Sequence, residues 1–194
     1  MKKNVIVGQS GGPTAVINAS LAGVYKTAKD MGVDTIYGMR YGIQGLLEKK
    51  IVDLGEKIRN DMDVELLKRT PASFLGSCRY KLPEISEDKV IYDKIFAILE
   101  ELEIMAFFYI GGNDSMDTIK KLSDYAQTID SPIRFIGVPK TIDNDLEGTD
   151  HTPGYGSAAK YIATVTKELV RDGLIYEMQS VTVIEIMGRN AGWL

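Results

Sequence analysis

Residues 4–13 read NVIVGQSGGP, an apolar run that ends in a glycine-rich turn. Two later stretches repeat this order of apolar run and polar turn: MAFFYIGGNDS at 105–115 and FIGVPKTIDND at 135–145. Short apolar runs bounded by turn residues are typical of buried strands. In a parallel sheet the carboxyl ends of the strands lie at one edge, and ligands bind in the crevice there. The three polar turns therefore predict a site for a phosphorylated ligand at that edge.

The segments between these strands have the spacing of helices. Ile17, Leu21 and Ala28 lie on one face of a helix that is predicted to follow the first turn and to end near Met31. The remaining predicted elements are helices at 63–69, 87–102, 115–126 and 155–171, strands at 34–38 and 180–187, and a loop at Gly42 and Gly45. This alternation predicts an α/β fold with three layers, in which helices cover both faces of a mostly parallel sheet.

Two segments bear on how the chain divides into domains. The stretch from Pro139 to Pro153 is polar and acidic, which indicates a long loop, and loops of this length are usually functional or disordered. We expect residues 1–154 to form one α/β domain and residues 155–194 to begin a second, similar α/β domain. Because no helix follows the last predicted strand to cover it, we also expect the sequence to be the N-terminal portion of a longer protein.

The composition is ordinary for a globular protein, with 44% hydrophobic and 26% charged residues among 194. No apolar run approaches the roughly 20 residues that a membrane helix needs, and the N-terminus leads directly into a strand without the apolar core of a signal peptide. The net charge of −4, and the lack of a segment dense in lysine and arginine, argue against nucleic acid as a partner. The single cysteine, Cys78, is typical of a reducing compartment, so we expect a cytoplasmic protein without a membrane partner.

The first turn has the chemistry of a phosphate site. Gly11 and Gly12 let the backbone approach a phosphate closely, and the following helix directs its amino terminus at the anion. The turn lacks the Gly-Lys-Ser/Thr of a Walker loop and the third glycine of the dinucleotide fingerprint. A tight connection between strand and helix, without any ligand, explains the same residues, so this turn alone leaves both interpretations open.

The second turn adds side chains that suit phosphate and metal. Gly112 opens the backbone, and Ser115 can cap the next helix and donate to a phosphate. Asn113 and Asp114 offer oxygen atoms to Mg²⁺, a hard cation that usually bridges protein carboxylates and substrate phosphates. The alternative is an Asn-Asp-Ser helix cap that binds no ligand.

The third turn combines a lysine with two aspartates. Lys140 can stabilise charge on a transferring phosphoryl group, and a carboxylate beside a substrate hydroxyl can act as a general base. If residues 141–145 are extended, Thr141, Asp143 and Asp145 share one face, and a bend is needed to bring Lys140 to it. Composition alone favours the alternative, a solvated acidic loop.

Several cations lie near glycines or turns, namely Arg79, Lys81, Lys140 and Arg189. Each by itself is typical of a surface charge, whereas together they would make a positive pocket in an acidic protein. Arginine suits this role because its planar group can form two hydrogen bonds to a phosphate. His151 lies in the acidic loop and is interpreted as structural or exposed, and Cys78 as a packed side chain that is not a nucleophile.

Five motifs, in this order, resemble those of the phosphofructokinase family: GQSGGPTAVINA at 8–19, LGSCRY at 75–80, GGNDS at 111–115, PKTIDND at 139–145 and MGRNAGW at 187–193. The resemblance covers nearly the whole chain. It implies a kinase-type transferase of glycolysis, with Mg²⁺ as cofactor, that phosphorylates the 1-hydroxyl of fructose 6-phosphate. In this family a second domain completes the sugar-phosphate site. Residues 1–154 would therefore bind the donor, and residues 155–194 would begin the sugar-phosphate domain.

The resemblance also implies roles for single residues. Asp143 matches the catalytic base, and the implied catalytic set is Asp143, Lys140, Asp114 and Thr141. The implied donor-phosphate contacts are Gly11, Gly12, Arg79, Gly112 and Ser115. The implied substrate contacts are Thr141, Asp143, Met187, Gly188 and Arg189, and the implied metal ligands are Asn113, Asp114 and Asp145.

Two positions bear on the phosphoryl donor. ATP-using members usually have glycine where this chain has Asp114 and Lys140. Asp114 would crowd and repel the α-phosphate of ATP, and Lys140 would add charge stabilisation that a small inorganic donor lacks, so both are typical of the pyrophosphate-dependent branch. Asn113 replaces the usual metal-binding aspartate and is a weaker Mg²⁺ ligand. Ligation is therefore expected to shift to Asp114, to Asp143 or Asp145, or to water.

The implied partners are fructose 6-phosphate and pyrophosphate, and the complete protein is expected to be a homo-oligomer. Two alternatives stay open at this point. One is an ATP-dependent member of the same family. The other is a truncated phosphate-binding domain without catalysis.

Overall fold

The computed structural model describes residues 4–175, 177–186, 192 and 194. The chain divides into two compact units, Met1–Lys140 and Thr141–Leu194. The first contains a sheet with its helices, and the second contains the loop after the sheet and one long helix. In chain order the elements are β1 (Asn4–Gln9), α1 (Ile17–Asp30), β2 (Ile36–Met39), α2 (Gly42–Leu47), β3 (Ile51–Asp53), α3 (Leu54–Lys57), α4 (Asp61–Arg69), α5 (Lys89–Glu101), β4 (Ile104–Gly111), α6 (Asn113–Thr128), β5 (Arg134–Pro139) and α7 (Tyr155–Gly173).

The strands of the first unit form one five-stranded sheet in the order β3-β2-β1-β4-β5. β1 pairs in parallel with β2 and with β4, and β4 pairs in parallel with β5. Only β3 is antiparallel to its neighbour within this described sheet. The predicted α/β fold with a mostly parallel sheet is confirmed.

Helices cover both faces of this sheet, because successive strand residues point to opposite faces. Ile6 of β1 packs in one cluster with apolar residues of α2, α5 and α6. Its neighbours Val5 and Val7 pack in a second cluster with apolar residues of α1, α3 and α4. The expected arrangement of three layers is confirmed, with β1 buried at the centre.

The side of the sheet to which the chain adds successive strands changes between β1 and β4. The chain leaves β1 through α1 for β2 on one side, and it leaves β4 through α6 for β5 on the other side. Gln9 pairs with Ile110, and Gly111 pairs with Pro139, so the three strands end at nearly the same level. Open α/β sheets bind ligands at such a point, outside the carboxyl ends of the strands.

The loop predicted at Gly42 and Gly45 is wrong, because Gly42–Leu47 is a helix. Ile43 and Leu46 of this helix are completely buried, with 0% of their surface exposed. Burying one such side chain contributes about 1.5–3 kcal/mol. A glycine inside a helix costs only about 1 kcal/mol. Packing of α2 against the core therefore outweighs the poor helix propensity of its glycines.

Two further differences concern strands. β3 has no counterpart among the predicted strands, because its three residues are too few for a recognisable period. The strand predicted at 180–187 is wrong for residues 180–186, which pair with no strand of the described chain. Val181 and Val183 are 93% and 88% exposed there. A strand needs a neighbouring strand to complete its backbone hydrogen bonds, and an alternating sequence pattern alone does not provide one. The other predicted helices and strands are confirmed, most of them with ends shifted by one or two residues.

Within the described ranges, no helix combines the length and the apolar composition needed to cross a lipid bilayer.

Candidate active site

The glycine-rich turn after β1 begins beside the end of β4. The amide of Ser10 donates to the carbonyl of Ile110 at 2.9 Å. Gly11 has a φ of +76°, a left-handed conformation that favours glycine. A Cβ on Gly12 would meet no atom within 4 Å. The backbone of the turn is therefore open to a ligand at Gly12.

Residues 77 and 78 hold this turn in place. Ser77 Oγ donates to the carbonyl of Gly11 at 2.5 Å. The carbonyl of Cys78 accepts from the amide of Gly11 and from Ser10 Oγ, each at 3.3 Å. The side chain of Cys78 is buried, and it is the backbone of this residue that supports the turn.

Tyr109 of β4 adds a buried hydroxyl to this region. The residue is 1% exposed, and its hydroxyl accepts from the amide of Ile43 at 3.2 Å. The same oxygen is 3.7 Å from Cys78 Sγ. Burial raises the pKa of Tyr109 above its ordinary value, so the hydroxyl stays protonated and links β4 to α2 as a neutral group.

The second turn leads directly into α6. Gly112 is the N-cap residue, and Asn113 and Asp114 form an exposed first turn. Ser115 is 2% exposed, and a Cβ on Gly111 would overlap its side chain. The helix therefore presents its amino terminus, with Asp114 in the first turn, at the carboxyl edge of the sheet. The contact of Ser115 with a phosphate stays a prediction.

Lys140 connects the ends of β1, β4 and β5. Its amide donates to the carbonyl of Gly111 at 2.9 Å, which extends the pairing of β4 with β5. Its Nζ donates to the carbonyl of Gly12 at 2.5 Å, across 128 positions of sequence. Nζ is also 3.8 Å from the point where a Cβ on Gly11 would lie. With 5% of its surface exposed, Lys140 places a buried cation beside the first glycine turn.

The second unit begins with the loop that contains the predicted catalytic aspartate. The amide of Asp143 donates to Thr141 Oγ1 at 3.0 Å, and Asn144 has a left-handed φ of 51°. Residues 141–145 are therefore not extended, and the shared face that an extended run would give does not form. Asp143 is only 9% exposed, whereas Asp145 is an exposed residue.

Hydrogen bonds within the loop close it on itself. Thr152 Oγ1 donates to the carbonyl of Thr141 at 2.8 Å, and the amide of Thr152 donates to Asn144 Oδ1 at 2.9 Å. Asn144 Nδ2 donates in turn to the carbonyl of Asp150 at 3.0 Å. A solvated acidic loop describes the exposed carboxylates of this segment but does not describe the buried Asp143.

Arg79 and Lys81 are exposed and follow the residues that hold the glycine turn, and His151 is exposed as well. The predicted sugar-phosphate contacts Met187, Gly188 and Arg189 lie outside the described residues.

The metal prediction can be compared with the acidic groups of the site. In the part of the chain that the structure describes, no three His, Cys, Asp or Glu side chains are grouped to hold a metal ion. Mg²⁺ usually keeps several waters and is held by one or two carboxylates together with substrate phosphates. The exposed Asn113 and Asp114 fit such shared ligation, which needs no preformed cluster.

Comparison with known proteins identifies relatives along the whole chain. The model of the family "Phosphofructokinase" matches residues 4–194. The pyrophosphate–fructose 6-phosphate 1-phosphotransferase of Halomonas elongata is 42% identical over 195 residues, which cover 98% of this chain and 46% of that protein. The crystal structure of a pyrophosphate-dependent phosphofructokinase from Nitrosospira multiformis superposes with a TM-score of 0.81 at 43% identity, covering 89% of this chain and 42% of the other. An ATP-dependent 6-phosphofructokinase of Aliivibrio salmonicida is 34% identical, covering 99% of this chain and 55% of that protein.

The chain thus spans about half the length of the curated relatives it matches. The two relatives named for pyrophosphate share more identity with it than the relative named for ATP. The resemblance seen in the five motifs is confirmed by the family match. With glycine turns at the carboxyl edge of the sheet and a match over nearly its whole sequence, the chain belongs to the phosphofructokinase family.

Proposed function

We propose that this chain supplies the donor-binding part of a pyrophosphate-dependent phosphofructokinase. The reaction transfers a phosphoryl group from pyrophosphate to the 1-hydroxyl of fructose 6-phosphate, giving fructose 1,6-bisphosphate and inorganic phosphate. In this proposal residues 1–154 bind the donor. Residues 155–194 begin the sugar-phosphate domain, to which Met187, Gly188 and Arg189 contribute.

The position of Lys140 is the main support for this proposal. Its ammonium donates to the carbonyl of Gly12 at 2.5 Å, beside the open side of the glycine turn. A pyrophosphate bound there would offer charged oxygen atoms to the same cation. Hydrogen bonds between ionised groups are about twice as strong as neutral ones, and a buried setting strengthens them further. Phosphoryl transfer depends mostly on such positioning and charge stabilisation.

Asp114 supports pyrophosphate over ATP as the donor. It lies in the first turn of α6, where the amino terminus of the helix otherwise favours an anion. The carboxylate of Asp114 is itself an anion at this helix terminus, and it would repel the α-phosphate of a nucleotide. Pyrophosphate has only two phosphoryl groups and therefore no counterpart of the α-phosphate of ATP. The other proposed donor contacts are Gly11, Gly12, Arg79, Gly112 and Ser115.

Asp143 is the proposed general base. It accepts the proton of the 1-hydroxyl as that oxygen bonds to phosphorus and the bond to the leaving phosphate breaks. The hydrogen bond of its amide to Thr141 Oγ1, at 3.0 Å, fixes the backbone at this position. A fixed position matters because a base has to lie within hydrogen-bond reach of the proton it removes.

Mg²⁺ is proposed to accompany the pyrophosphate. Asn113, Asp114 and Asp145 are exposed oxygen donors, which suits a metal that keeps part of its water and shares its ligands with a substrate. When bound, the ion neutralises charge on phosphate oxygens.

The proposed setting is the cytoplasm, since the single cysteine is typical of a reducing compartment. The complete enzyme is proposed to be a homo-oligomer that binds neither nucleic acid nor membrane.

Initial rates of fructose 1,6-bisphosphate formation, measured with pyrophosphate and with ATP, test the proposal in the intact enzyme that contains this sequence. We expect turnover with pyrophosphate and much slower turnover with ATP. Asp143→Asn is the control, because it removes activity of this site with either donor and exposes any contaminating kinase. A preference for ATP would overturn the donor assignment. Binding of pyrophosphate without turnover would favour a phosphate-binding domain instead.

A further inference from the structure

Two buried amides lie directly behind the glycine turn. Gln9 is the last residue of β1 and is 0% exposed. Asn18 lies in the first turn of α1 and is 2% exposed. Gln9 Nε2 donates to Asn18 Oδ1 at 3.0 Å, so the two side chains join the residue before the turn to the helix after it.

Gln9 uses its full hydrogen-bonding capacity. Its Oε1 accepts from Ser73 Oγ at 2.9 Å and from the amide of Leu75 at 2.8 Å. Its Nε2 donates to the carbonyl of Ile17 at 3.0 Å as well as to Asn18. A side-chain amide has two acceptor sites and two donor hydrogens, and all four are used here.

Asn18 extends the same connection to the segment at 70–75. Its Oδ1 also accepts from the amide of Phe74 at 2.8 Å, and its Nδ2 donates to the carbonyl of Thr70 at 2.9 Å. The amide pair therefore holds this segment at four residues, namely Thr70, Ser73, Phe74 and Leu75.

The chain that follows this segment contacts the glycine turn itself. Ser77 Oγ donates to the carbonyl of Gly11 at 2.5 Å, and the carbonyl of Cys78 accepts from the amide of Gly11 at 3.3 Å. Arg79 comes next in the sequence. The pair thus fixes both the turn and the segment that supports it, and neither amide needs to contact a ligand to do so.

We propose that the hydrogen-bonded pair of Gln9 and Asn18 positions the Ser10–Gly12 turn and the 70–79 segment for the phosphoryl donor. This inference rests on the proposed function, because the donor is the ligand bound at that turn. Most partners of the pair are backbone groups, among them the amides of Phe74 and Leu75, so the two side chains fix the course of the backbone at this segment and do not only fill the core. Directional bonds to four residues of one segment set the register of that segment against the turn.

The test replaces Gln9 by methionine in the intact enzyme. Methionine is of similar length but removes all four hydrogen bonds. We expect kcat/KM for pyrophosphate to fall on the order of 10²-fold, as for a displacement of about 1 Å at a reacting group. The rise in KM should be specific to the donor, with KM for fructose 6-phosphate unchanged. Gln127→Met is the matched control, because Gln127 is an exposed glutamine near the end of α6.

Asn18→Leu should cause the same donor-specific loss, and the double variant should lose little more than either single variant, because the two side chains act as one unit. A merely structural role would lower the melting temperature and the amount of folded enzyme. It would leave both KM values at their wild-type level, and that result would overturn the inference while the proposed function stands.

Amide hydrogen exchange of the intact enzyme provides a readout that needs no activity. We expect Gln9→Met to accelerate exchange in peptides that cover residues 10–12 and 73–78, with exchange in β4 and α5 unchanged. Uniform acceleration would overturn the inference. If ATP proves to be the donor, the proposed function fails, and a KM effect specific to ATP still supports the positioning role. If the wild-type enzyme has no activity with either donor, the proposed function fails and the exchange pattern alone decides.

Discussion

Asp143 and Asp145 are two positions apart in sequence but differ in exposure. Asp143 is 9% exposed, and its amide is bonded to Thr141 Oγ1, whereas Asp145 is exposed. A general base needs a fixed distance to the hydroxyl it deprotonates. A Mg²⁺ ligand that shares the ion with water and phosphate can lie at the surface. The difference supports the proposed division of roles between the two carboxylates.

We expect Asp143→Asn to lower the turnover of the intact enzyme by about 10²–10⁴, which is the usual contribution of a general base. Asparagine has nearly the same size and accepts no proton, so KM for both substrates should change little. Steady-state kinetics measures both quantities. Asp145→Asn is the matched comparison, and its smaller effect should depend on the Mg²⁺ concentration. A fall of less than about tenfold for Asp143→Asn would mean that another group is the base.

We expect the double variant Asp114→Gly with Lys140→Gly to use pyrophosphate less well and to accept ATP. Removing Asp114 relieves crowding and repulsion at the first turn of α6, and removing Lys140 takes away the cation beside Gly12. The comparison is kcat/KM for each donor before and after the change. Melting temperatures serve as the control, because a glycine costs about 1 kcal/mol in a helix. An unchanged preference would show that other residues select the donor.

At the scale of residues, the sequence predicted the positions of the turns better than the residues that hold the turns in place. Gly11, Gly112 and Lys140 follow apolar runs, so a local pattern places them at strand ends. The supports of the first turn are distant in sequence: Gln9 lies 64 positions from Ser73 and 66 from Leu75. No period or spacing predicts such pairs. A glutamine at the end of a buried strand was the available signal, because a buried amide needs partners for all its polar atoms.

At the scale of elements, the long periodic segments were predictable and the short ones were not. α5 and α6 bury apolar residues at helical spacing, and both were predicted to within two residues at each end. α2 and β3 have six and three residues, and they form because their neighbours offer a surface to pack on or a strand to pair with. Tertiary contacts of this kind leave no period in the sequence.

The packing of α5 against α6 predicts how stability depends on pH. Burial raises the pKa of Tyr92 to about 12. The hydrogen bond from Tyr125 to Asp93 raises the pKa of Tyr125 to about 12. Hydrogen bonds to Glu84 and Asp117 raise the pKa of Lys121 above its ordinary value. In each case the folded state holds the proton more tightly than the unfolded state does.

The raised pKa values therefore stabilise the folded state fully below about pH 10, where the same groups are still protonated in the unfolded state. This stabilisation is lost as the pH rises towards 12. We expect the urea midpoint of unfolding to be constant from pH 8 to about pH 10 and to fall steadily above it. Tyr125→Phe should make the fall shallower, whereas Tyr161→Phe, at a residue of α7 that is 69% exposed, is the control. A midpoint that stays constant up to pH 12 would contradict the expectation.

At the scale of the whole molecule, the third motif spans the division of the chain. The division falls between Lys140 and Thr141, whereas the proposed functional domains meet at residue 154. The proposed donor cation therefore belongs to the first unit, and the proposed base, Asp143, belongs to the second. Sequence predicted the motif because its residues are contiguous, but a contiguous string does not indicate where one packed unit ends.

The same division bears on the properties of the 194-residue chain alone. We expect it to bind pyrophosphate weakly, because Gly11, Gly12 and Lys140 lie within one compact unit. We expect no measurable formation of fructose 1,6-bisphosphate. Holding two reactants in a productive geometry contributes about 7–11 kcal/mol in well-oriented cases, and the proposed sugar-phosphate site needs a second domain.

Titration calorimetry with pyrophosphate and a coupled assay for fructose 1,6-bisphosphate measure these two properties on the same sample. Lys140→Met is the control for binding, because it keeps an apolar stem and removes the cation, and it should abolish the calorimetric signal without unfolding the chain. Robust product formation by the 194 residues would contradict the prediction. The sugar-phosphate site would then lie within this chain or at the contact between two copies of it, and a dependence of specific activity on protein concentration would identify the second case.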